Sequence, residues 1–240
     1  MKASTEPDGT PQPEKAQPDE AQPDEARAAL RTDAERNRER VLAAARSVFC
    51  EQGLDVPMTV IARRAGVGIA TLYRRFPTRE DLIGAVFADR MDAYAEATAE
   101  ALADPDPWHG FTTYIERVCA MQAADRGFAD LLTLTFPTAK ALEAKRAEAY
   151  EGWLRLIARA KEAGRLRADF SPQDLPVLLM ANAGVVTATG DAAPDAWRRQ
   201  IAYMLQAYTA DTAEALPPPP APSALYRAMI RLGRDTGSRT

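Results

Sequence analysis

The sequence has few of the residues on which catalysis and metal binding depend. Its 240 residues include two cysteines and one histidine. Cys50 and Cys119 lie far apart, each within an apolar helical pattern, which argues against a disulfide framework or a zinc site and predicts two buried, reduced thiols. His109 stands beside Pro107 and Trp108 at a predicted helix start, where a histidine is most often a surface or capping residue.

The motifs of common enzyme classes are also missing. The sequence contains no Ser/His/Asp set, no metal-ligand spacing and no glycine-rich phosphate loop. We therefore predict that the protein is not an enzyme and uses neither a metal nor a cofactor. The opposing hypothesis is an enzyme on an all-helical scaffold, in which His109 would be the one histidine available for catalysis.

Long apolar runs are absent as well. No run approaches the ~20 residues that a membrane span requires. The N-terminus is polar, acidic and rich in proline, whereas a signal peptide needs an apolar core. These features predict a cytoplasmic protein without a membrane segment.

The chain has no net positive charge, but one stretch concentrates positive charge locally. The formal net charge is -4, so a surface that binds nucleic acid has to be local. The segment from Met58 to Arg79 contains no acidic residue. Its arginines are Arg63, Arg64, Arg74, Arg75 and Arg79.

The same segment has the pattern of two short helices separated by Gly66-Val67-Gly68. A glycine-containing turn of three to four residues between two short helices is typical of a helix-turn-helix. The second helix of such a motif enters a DNA major groove. Here it would present Ala70, Thr71, Tyr73, Arg74 and Arg75. A plain solvated helix face is the alternative interpretation for Thr71, Tyr73, Arg74 and Arg75.

The pattern as a whole predicts an all-α fold. An N-terminal three-helix helix-turn-helix DNA-binding domain precedes a helical ligand-binding and dimerisation domain. The predicted boundaries are a disordered, acidic, Pro-rich tail at 1–31, the helix-turn-helix domain at 32–78, the ligand-binding and dimerisation domain at 79–214, and a Pro-rich linker and C-terminal tail at 215–240. A short amphipathic helix over 223–234 is one interpretation of that tail.

Capping signals place the helix boundaries. The first helix is predicted to begin at 32–33, where a threonine and an aspartate can each cap it. The second opens at Pro57, because the fixed φ of proline suits the first helical position. Thr78, with an acid three residues on, caps a fourth helix. That helix is predicted to continue through Phe87 toward Ala97.

Two helices near the C-terminus, at about 172–188 and 195–209, carry wide apolar stripes and small residues. They either form only the core of one chain or pair with the same helices of a second copy in a four-helix bundle. A two-fold dimer is what a helix-turn-helix protein needs to place two recognition helices on the half-sites of a palindrome. We predict a homodimer through these helices.

The N-terminal pattern resembles the DNA-binding domain of TetR-family transcriptional regulators over about residues 33–85. The matching positions are Val41 to Phe49, Gly53, Ile61-Ala62, Ala65-Gly66-Val67, Thr71-Leu72-Tyr73, Phe76 and Leu82. The resemblance implies that the third helix reads an operator, that Tyr73 and Arg79 contact phosphates, and that the dimer forms through the two C-terminal helices. Many members have a phosphate-binding threonine or serine near the start of the second helix. This chain has Val56-Pro57 there, with Thr59 as a partial substitute.

We predict a TetR-like dimeric regulator, a repressor that an apolar or aromatic small molecule of unknown identity releases from a palindromic operator in double-stranded DNA. The predicted DNA-binding residues are Thr59, Gly68, Ala70, Thr71, Tyr73, Arg74, Arg75 and Arg79. The predicted ligand-binding residues are Trp108, Phe111, Tyr114, Met121, Phe128, Trp153, Met180 and Asn182. The alternative is a helix-turn-helix protein that acts through protein–protein contacts without a small-molecule effector.

Overall fold

The computed structural model describes residues 22–133, 140–211 and 214–235, with side chains over 33–133, 142–211 and 214–231. Within these ranges the chain is all-α, as the sequence predicts, and the β-type pairing is a single bridge between Leu166 and Thr209. The chain divides into two compact units, residues 1–37 and 38–240.

The described residues form eleven α-helices joined mostly by short turns. They are α1 (Gln22–Gln52), α2 (Met58–Ala65), α3 (Ile69–Arg75), α4 (Arg79–Val86), α5 (Ala88–Ala103), α6 (Pro107–Ala124), α7 (Arg126–Thr133), α8 (Lys140–Glu162), α9 (Asp174–Thr189), α10 (Ala196–Ala207) and α11 (Pro222–Asp235). A short 3-10 turn, Gly190–Ala192, follows α9.

The first helix begins at Gln22 rather than at 32–33. Pro23 is suited to a first turn, and the segment that follows is rich in alanine, glutamate and arginine, which favour helix. The capping residues predicted from the sequence therefore lie inside α1, and residues 22–31 of the predicted disordered tail are helical. Residues 1–21 of that tail lie outside the described residues.

One apolar core holds α1 to α4 together. Helical spacing places Phe49, Ile61, Leu72 and Leu82 on facing sides of the four helices, and each is completely buried. Burying one such side chain stabilises a fold by ~1.5–3 kcal/mol. This core fixes the angle at which α3 is presented. Pro57, the predicted first residue of α2, is the residue before it.

The predicted fourth helix is interrupted at Phe87, which separates α4 from α5. Its backbone leaves the helical region (φ -104°, ψ 11°), while its completely buried ring stacks on Phe49 with centroids 6.1 Å apart. A side chain added at Gly127 would come within 2.7 Å of the Phe87 ring. Tertiary packing at this junction therefore overrides the helical pattern of the sequence.

Stacked aromatic side chains form the centre of the helices that follow. Neighbouring ring centroids lie 4.9–5.9 Å apart in a cluster of Trp108, Phe111, Tyr114, Trp153, Phe170 and Tyr208. Each such pair contributes ~0.5–1.5 kcal/mol beyond the area that it buries. The cluster joins α6, α8 and the segments that flank α9 and α10.

The single histidine lies in a cap at the surface. Asp106 caps α6 by accepting hydrogen bonds from the backbone N–H groups of Trp108 (2.9 Å) and His109 (3.3 Å). His109 Nδ1 lies 2.5 Å from Asp104 Oδ2, and this hydrogen bond raises the pKa of the imidazole. The arrangement is that of a helix N-terminus.

The two cysteines differ in exposure. Cys119 is completely buried, as predicted, and burial raises the pKa of its thiol to about 12. The prediction that Cys50 is buried is wrong, because this residue of α1 is exposed, with its Sγ 3.6 Å from Asp125 Oδ1. Both thiols are free.

Helix α9 is the most apolar element. The segment Asp174–Ala192 is long and apolar enough, by composition alone, to cross a membrane, although the sequence pattern predicts no such run. Only 22% of that apolar window is buried inside the chain. One such helix is weak evidence for a membrane span, because helices in the cores of soluble proteins pass the same criterion.

Candidate functional site

Helix α3 has one buried face and one exposed face. Leu72 is completely buried and Phe76, directly after the helix, is 5% exposed, so these two side chains anchor α3 to the core. The face turned away from them carries Tyr73, which is 48% exposed, together with exposed Arg74 and Arg75. Thr71 is half-buried, and Gly68 and Ala70 at the start of the helix are exposed.

The turn before α3 depends on the backbone of Gly66. This residue has φ +66°, a left-handed conformation that glycine adopts without the penalty other residues incur. Its N–H and that of Val67 donate to carbonyls of the last turn of α2, at 3.2 and 3.1 Å. Gly68 then returns to extended geometry, and its carbonyl accepts the first helical bond of α3 from Leu72 at 3.1 Å.

Two of the five arginines in this segment are bonded to acids of the same chain. Arg64 Nη2 lies 3.0 Å from Glu51 Oε2 of α1. Arg79 Nη1 lies 3.0 Å from Asp55 Oδ1, in the loop before α2. Arg63 and Arg74 are exposed, and within the described part of the chain no ion pair holds either of them. The positive charge of the motif is therefore concentrated along the outer side of α2 and α3.

The start of α4 is fixed by a complete capping box. Thr78 Oγ1 accepts from the N–H of Asp81 at 3.0 Å, while Asp81 Oδ2 accepts from the N–H of Thr78 at 3.1 Å. Arg79 is the first residue of the helix, where a cation opposes the helix dipole. The carboxylate of Asp55 offsets that penalty in the structure.

The start of α2 lacks a side-chain cap among the described residues. Pro57 precedes the helix with φ -59° and offers no side-chain acceptor. Thr59, the second residue of the helix, is exposed. Its hydroxyl is the only one in α2.

Side chains of α7 and of the turn before it contact the helix-turn-helix domain and α5. Asp130 Oδ2 of α7 accepts a hydrogen bond from the backbone N–H of Leu54 at 3.1 Å. Burial raises the pKa of Asp130. Asp125, which precedes α7, lies beside Cys50 and pairs with Arg90 of α5 at 3.8 Å. Movement of α7 would therefore act directly on the loop that precedes α2.

A cavity of about 410 Å³ lies among α5, α7, α8, α9 and α11. Its wall is mostly apolar, with the charged residues Arg146 and Glu143 on one side. The lining residues are Tyr94, Leu132, Glu143, Arg146, Ala147, Tyr150, Trp153, Pro172, Gln173, Leu175, Pro176, Leu179, Pro222, Leu225, Tyr226 and Met229.

Of the eight predicted ligand-binding residues, Trp153 lines this cavity. The structure packs Trp108, Phe111 and Tyr114 into the aromatic cluster and buries Phe128 completely. Met121 is half-buried against the core and Met180 is half-buried on α9.

Asn182, the last of the predicted set, is completely buried in α9. Its Nδ2 donates to Gln122 Oε1 of α6 at 2.9 Å and to the carbonyl of Cys119 at 3.3 Å. Asn182 therefore joins two helices rather than facing this cavity.

Sequence reasoning missed Arg146 and the contribution of α11. A signal for Arg146 exists, because Leu142, Arg146, Ala149 and Trp153 follow the spacing of one helical face. The other three of these residues are 4% exposed or less. The presence of α11 in the cavity wall depends on tertiary contact, and the sequence carries no comparable signal for it.

The exposed face of α9 is apolar, whereas the exposed face of α10 carries Tyr203 beside two arginines, Arg198 and Arg199. Val177 (45% exposed) and Tyr203 (55% exposed) are among the most exposed large apolar side chains. On α9 the exposed residues Val177, Ala181, Gly184 and Ala188 lie at successive one-turn spacings. Small residues at this spacing leave room for a second helix to approach closely.

Two family models match separate parts of the chain. The model for "Bacterial regulatory proteins, tetR family" matches residues 41–86. The model for "Transcriptional regulator SbtR-like, C-terminal domain" matches residues 106–206. The first match contains the helix-turn-helix and the second most of α6 to α10.

Individual proteins are similar over different lengths. The HTH-type transcriptional regulator SAUSA300_2515 of Staphylococcus aureus is 36% identical over 66 residues, which are 27% of this chain and 36% of that protein. The match thus spans about a third of the length of this curated relative. The TetR transcription regulatory protein from Mycobacterium vanbaalenii is 31% identical, covering 75% of this chain and 99% of that chain, with a TM-score of 0.42.

A more distant structure shares only the fold. The transcriptional regulator FadR from Bacillus subtilis, solved in complex with stearoyl-CoA, is 16% identical and has a TM-score of 0.54. The likeness covers 70% of this chain and 96% of that chain.

Proposed function

The chain belongs to the TetR family of bacterial regulatory proteins, and from this membership we propose that it is a dimeric, DNA-binding transcription regulator. It acts as a repressor that a small molecule releases from a palindromic operator. The observation that carries the proposal is the exposed face of α3, where Tyr73, Arg74 and Arg75 point away from the core in an acid-free segment.

In this proposal α3 lies in the major groove. Thr71 and Arg74 contact base edges, since arginine is the commonest bidentate reader of guanine. Gly68 and Ala70 are small enough to let the start of the helix approach the DNA closely. Tyr73 and Arg75 lie along the flanks of the groove, and the Tyr73 hydroxyl binds a phosphate.

Two further phosphate contacts flank α3. Arg79 keeps its ion pair with Asp55 and uses its remaining N–H donors for a phosphate, because a guanidinium has five donors. Thr59 contributes its hydroxyl at the start of α2, where the first N–H groups of the helix also favour an anion. Such contacts position the protein on the duplex without specifying sequence.

The dimer forms through α9 and α10. The support is an apolar helix of which only a minor part is buried by its own chain, and an exposed one-turn stripe that contains Gly184. The same helices of a second copy would cover that surface in a four-helix bundle. The two α3 helices would then face the half-sites of one palindrome.

A small molecule binds in the cavity between α8, α9 and α11 and lowers the affinity for DNA. To do so it must bind the low-affinity conformation better than the DNA-bound one. The FadR structure with stearoyl-CoA supports the idea that this fold can accommodate a ligand with an apolar part. The bonds of Asp130 and Asp125 provide a path from α7 to the helix-turn-helix.

A mobility-shift experiment with DNA flanking the protein's own gene tests this function. Specific sites are expected to bind ~10³-fold or more tighter than random duplex, and affinity should fall steeply as salt rises. Equal binding of all duplexes, or none, would contradict the proposal and favour a module that acts through protein contacts.

A further inference from the structure

The cavity lined by α8 and α11 contains a cation that is mostly shielded from solvent. Arg146 is on the wall of the cavity, and only 15% of its side chain is exposed. Most of the remaining wall consists of leucine, proline, methionine and aromatic side chains. A guanidinium in such surroundings is costly unless an anion balances it.

Glu143 pairs with Arg146 at a longer distance than a strong ion pair has. Its Oε1 lies 3.5 Å from Arg146 Nη1, whereas strong charge-assisted hydrogen bonds measure about 2.7–2.9 Å. The Glu143 side chain is 35% exposed, so the solvent already stabilises its charge in part. Burial lowers the pKa of Arg146, and Glu143 offsets this effect in part.

We infer that this cavity binds an apolar molecule carrying a single anionic group, such as a carboxylate or a sulfonate, with Arg146 holding the anion. The inference rests on the proposed function, because it specifies the class of the effector. The bound anion takes the place of Glu143, whose carboxylate turns toward solvent. The apolar body of the molecule contacts Trp153, Leu179 and the side chains of α11.

Helix α11 supplies a wall of the cavity from outside the part of the chain that the family models match. Pro222, Leu225, Tyr226 and Met229 form one wall. They lie beyond residue 206, where the match to the C-terminal family model ends. Tyr226 also lies close enough to Arg146 to interact with its charge.

A matched pair of fluorescent probes tests the inference on the full chain. 8-Anilinonaphthalene-1-sulfonate and N-phenyl-1-naphthylamine share one apolar skeleton and differ by the sulfonate. The Arg146→Gln variant is expected to bind the sulfonate at least about tenfold more weakly and the uncharged probe within about twofold of the parent. The Glu143→Gln variant should bind the sulfonate more tightly, because the competing carboxylate is gone.

Control variants separate this role from a structural one. Arg155→Gln removes an exposed arginine from the same helix and should change neither probe. Arg146→Lys keeps the charge and should recover part of the sulfonate affinity. The inference would be overturned if Arg146→Gln weakened the binding of both probes equally. It would also be overturned if Glu143→Gln failed to bind the sulfonate more tightly than the parent.

The same preparations separate this inference from the proposed function. Mobility shift with the operator, without any probe, measures DNA binding by the parent protein. If no duplex is bound specifically, the regulator function fails while the probe pair still decides the ligand class. If DNA is bound specifically and Arg146→Gln has no selective effect on the sulfonate, only the ligand class fails.

Discussion

Arg64 and Arg74 are the same residue type in consecutive helices, yet their surroundings differ. Arg64 is bonded to Glu51 of α1, whereas Arg74 is exposed on the outer face of α3. We expect Arg74→Gln to weaken operator binding by ~1–3 kcal/mol and to relax sequence preference. Arg64→Gln, the matched control, should leave DNA affinity nearly unchanged. Fluorescence anisotropy with an operator duplex measures both, and equal losses would contradict the assignment.

Gly66 and Gly84 should respond in opposite ways to the same substitution. Gly66→Ala places a Cβ at φ +66° and is expected to destabilise the fold by ~1–2 kcal/mol. Gly84 lies inside α4 with open space around it, so Gly84→Ala should stabilise by ~0.5–1 kcal/mol. Urea unfolding followed by circular dichroism gives both values. A stabilising Gly66→Ala would refute the conformation assigned to the turn.

For single residues, the sequence predicts which side chains form the basic segment and its buried face, but not which of them bond to acids elsewhere in the chain. The absence of acids from 58 to 79 locates the basic segment, and the spacing of Leu72 and Phe76 separates its buried face. The bonds of Arg64 and Arg79 to acids outside the segment depend on how α1 and its following loop pack. No local pattern reveals them.

Among the elements, the segment between α8 and α9 is joined to the end of α10 by one ion pair. Arg167, itself 7% exposed, donates to both carboxylate oxygens of Asp169 and to the carbonyls of Ala207 and Glu214. Asp169 also accepts from the N–H of Leu216 at 2.8 Å. The pair thus positions the chain that leads toward α11.

This ion pair predicts a dependence of stability on pH. The hydrogen bond from Arg167, and next the N–H of Leu216, lower the pKa of Asp169 below its usual value. A carboxyl with a depressed pKa in the folded state stabilises the fold above the unfolded pKa of about 4 and loses that contribution as pH falls further. Asp169→Asn should therefore have a lower urea midpoint than the parent protein at pH 7. Between pH 7 and pH 3 the midpoint of this variant should fall by less than that of the parent.

A second carboxylate provides the control for that prediction. Asp195 pairs with Arg198 at 3.0 Å on the surface, where both side chains are more than half exposed. Such pairs contribute little to stability. Asp195→Asn should behave as the parent at both pH values. An Asp169→Asn variant with the same acid sensitivity as the parent would refute the role of this ion pair.

Helices with clear caps are predictable from sequence, and helices set by tertiary contact are not. Thr78 with Asp81 marks the start of α4, and Asp106 marks α6, as the structure confirms. The break at Phe87 arises because its ring packs between α1 and α7, which no helical pattern signals. The early start of α1 reflects strong helix formers outweighing capping signals further along.

At the scale of the whole molecule, the proposed dimer has α9 and α10 at its interface. The double variant Val177→Asp, Tyr203→Asp places an acidic group at one exposed apolar side chain of each helix. We expect a dimer to become a monomer with unchanged helix content, and operator affinity to fall about 100-fold or more because two linked sites become one. Light scattering after gel filtration measures the mass. Ala158→Asp, at an exposed position of α8 outside the proposed interface, is the control and should leave the mass unchanged. A variant that stays dimeric would place the interface elsewhere.

The lining of the ligand cavity could not be predicted from the sequence. Aromatic residues at helical spacing, such as Phe111 and Tyr114, fill one another's space and form core. Arg146 interrupts a buried stripe and is detectable in principle. One wall of the cavity comes from α11, whose position beside α8 and α9 no local sequence pattern indicates.

The central claim is that α3 is one half of a two-fold reader of DNA. Selection of duplexes from a random-sequence pool by the full chain, followed by sequencing, tests it most directly. We predict enrichment of an inverted repeat whose half-sites are centred about one helical turn, 10–10.5 base pairs, or a multiple of it apart. Arg74→Gln in the same selection should lose preference at defined positions of each half-site. No enrichment, or a motif without two-fold symmetry, would contradict the account.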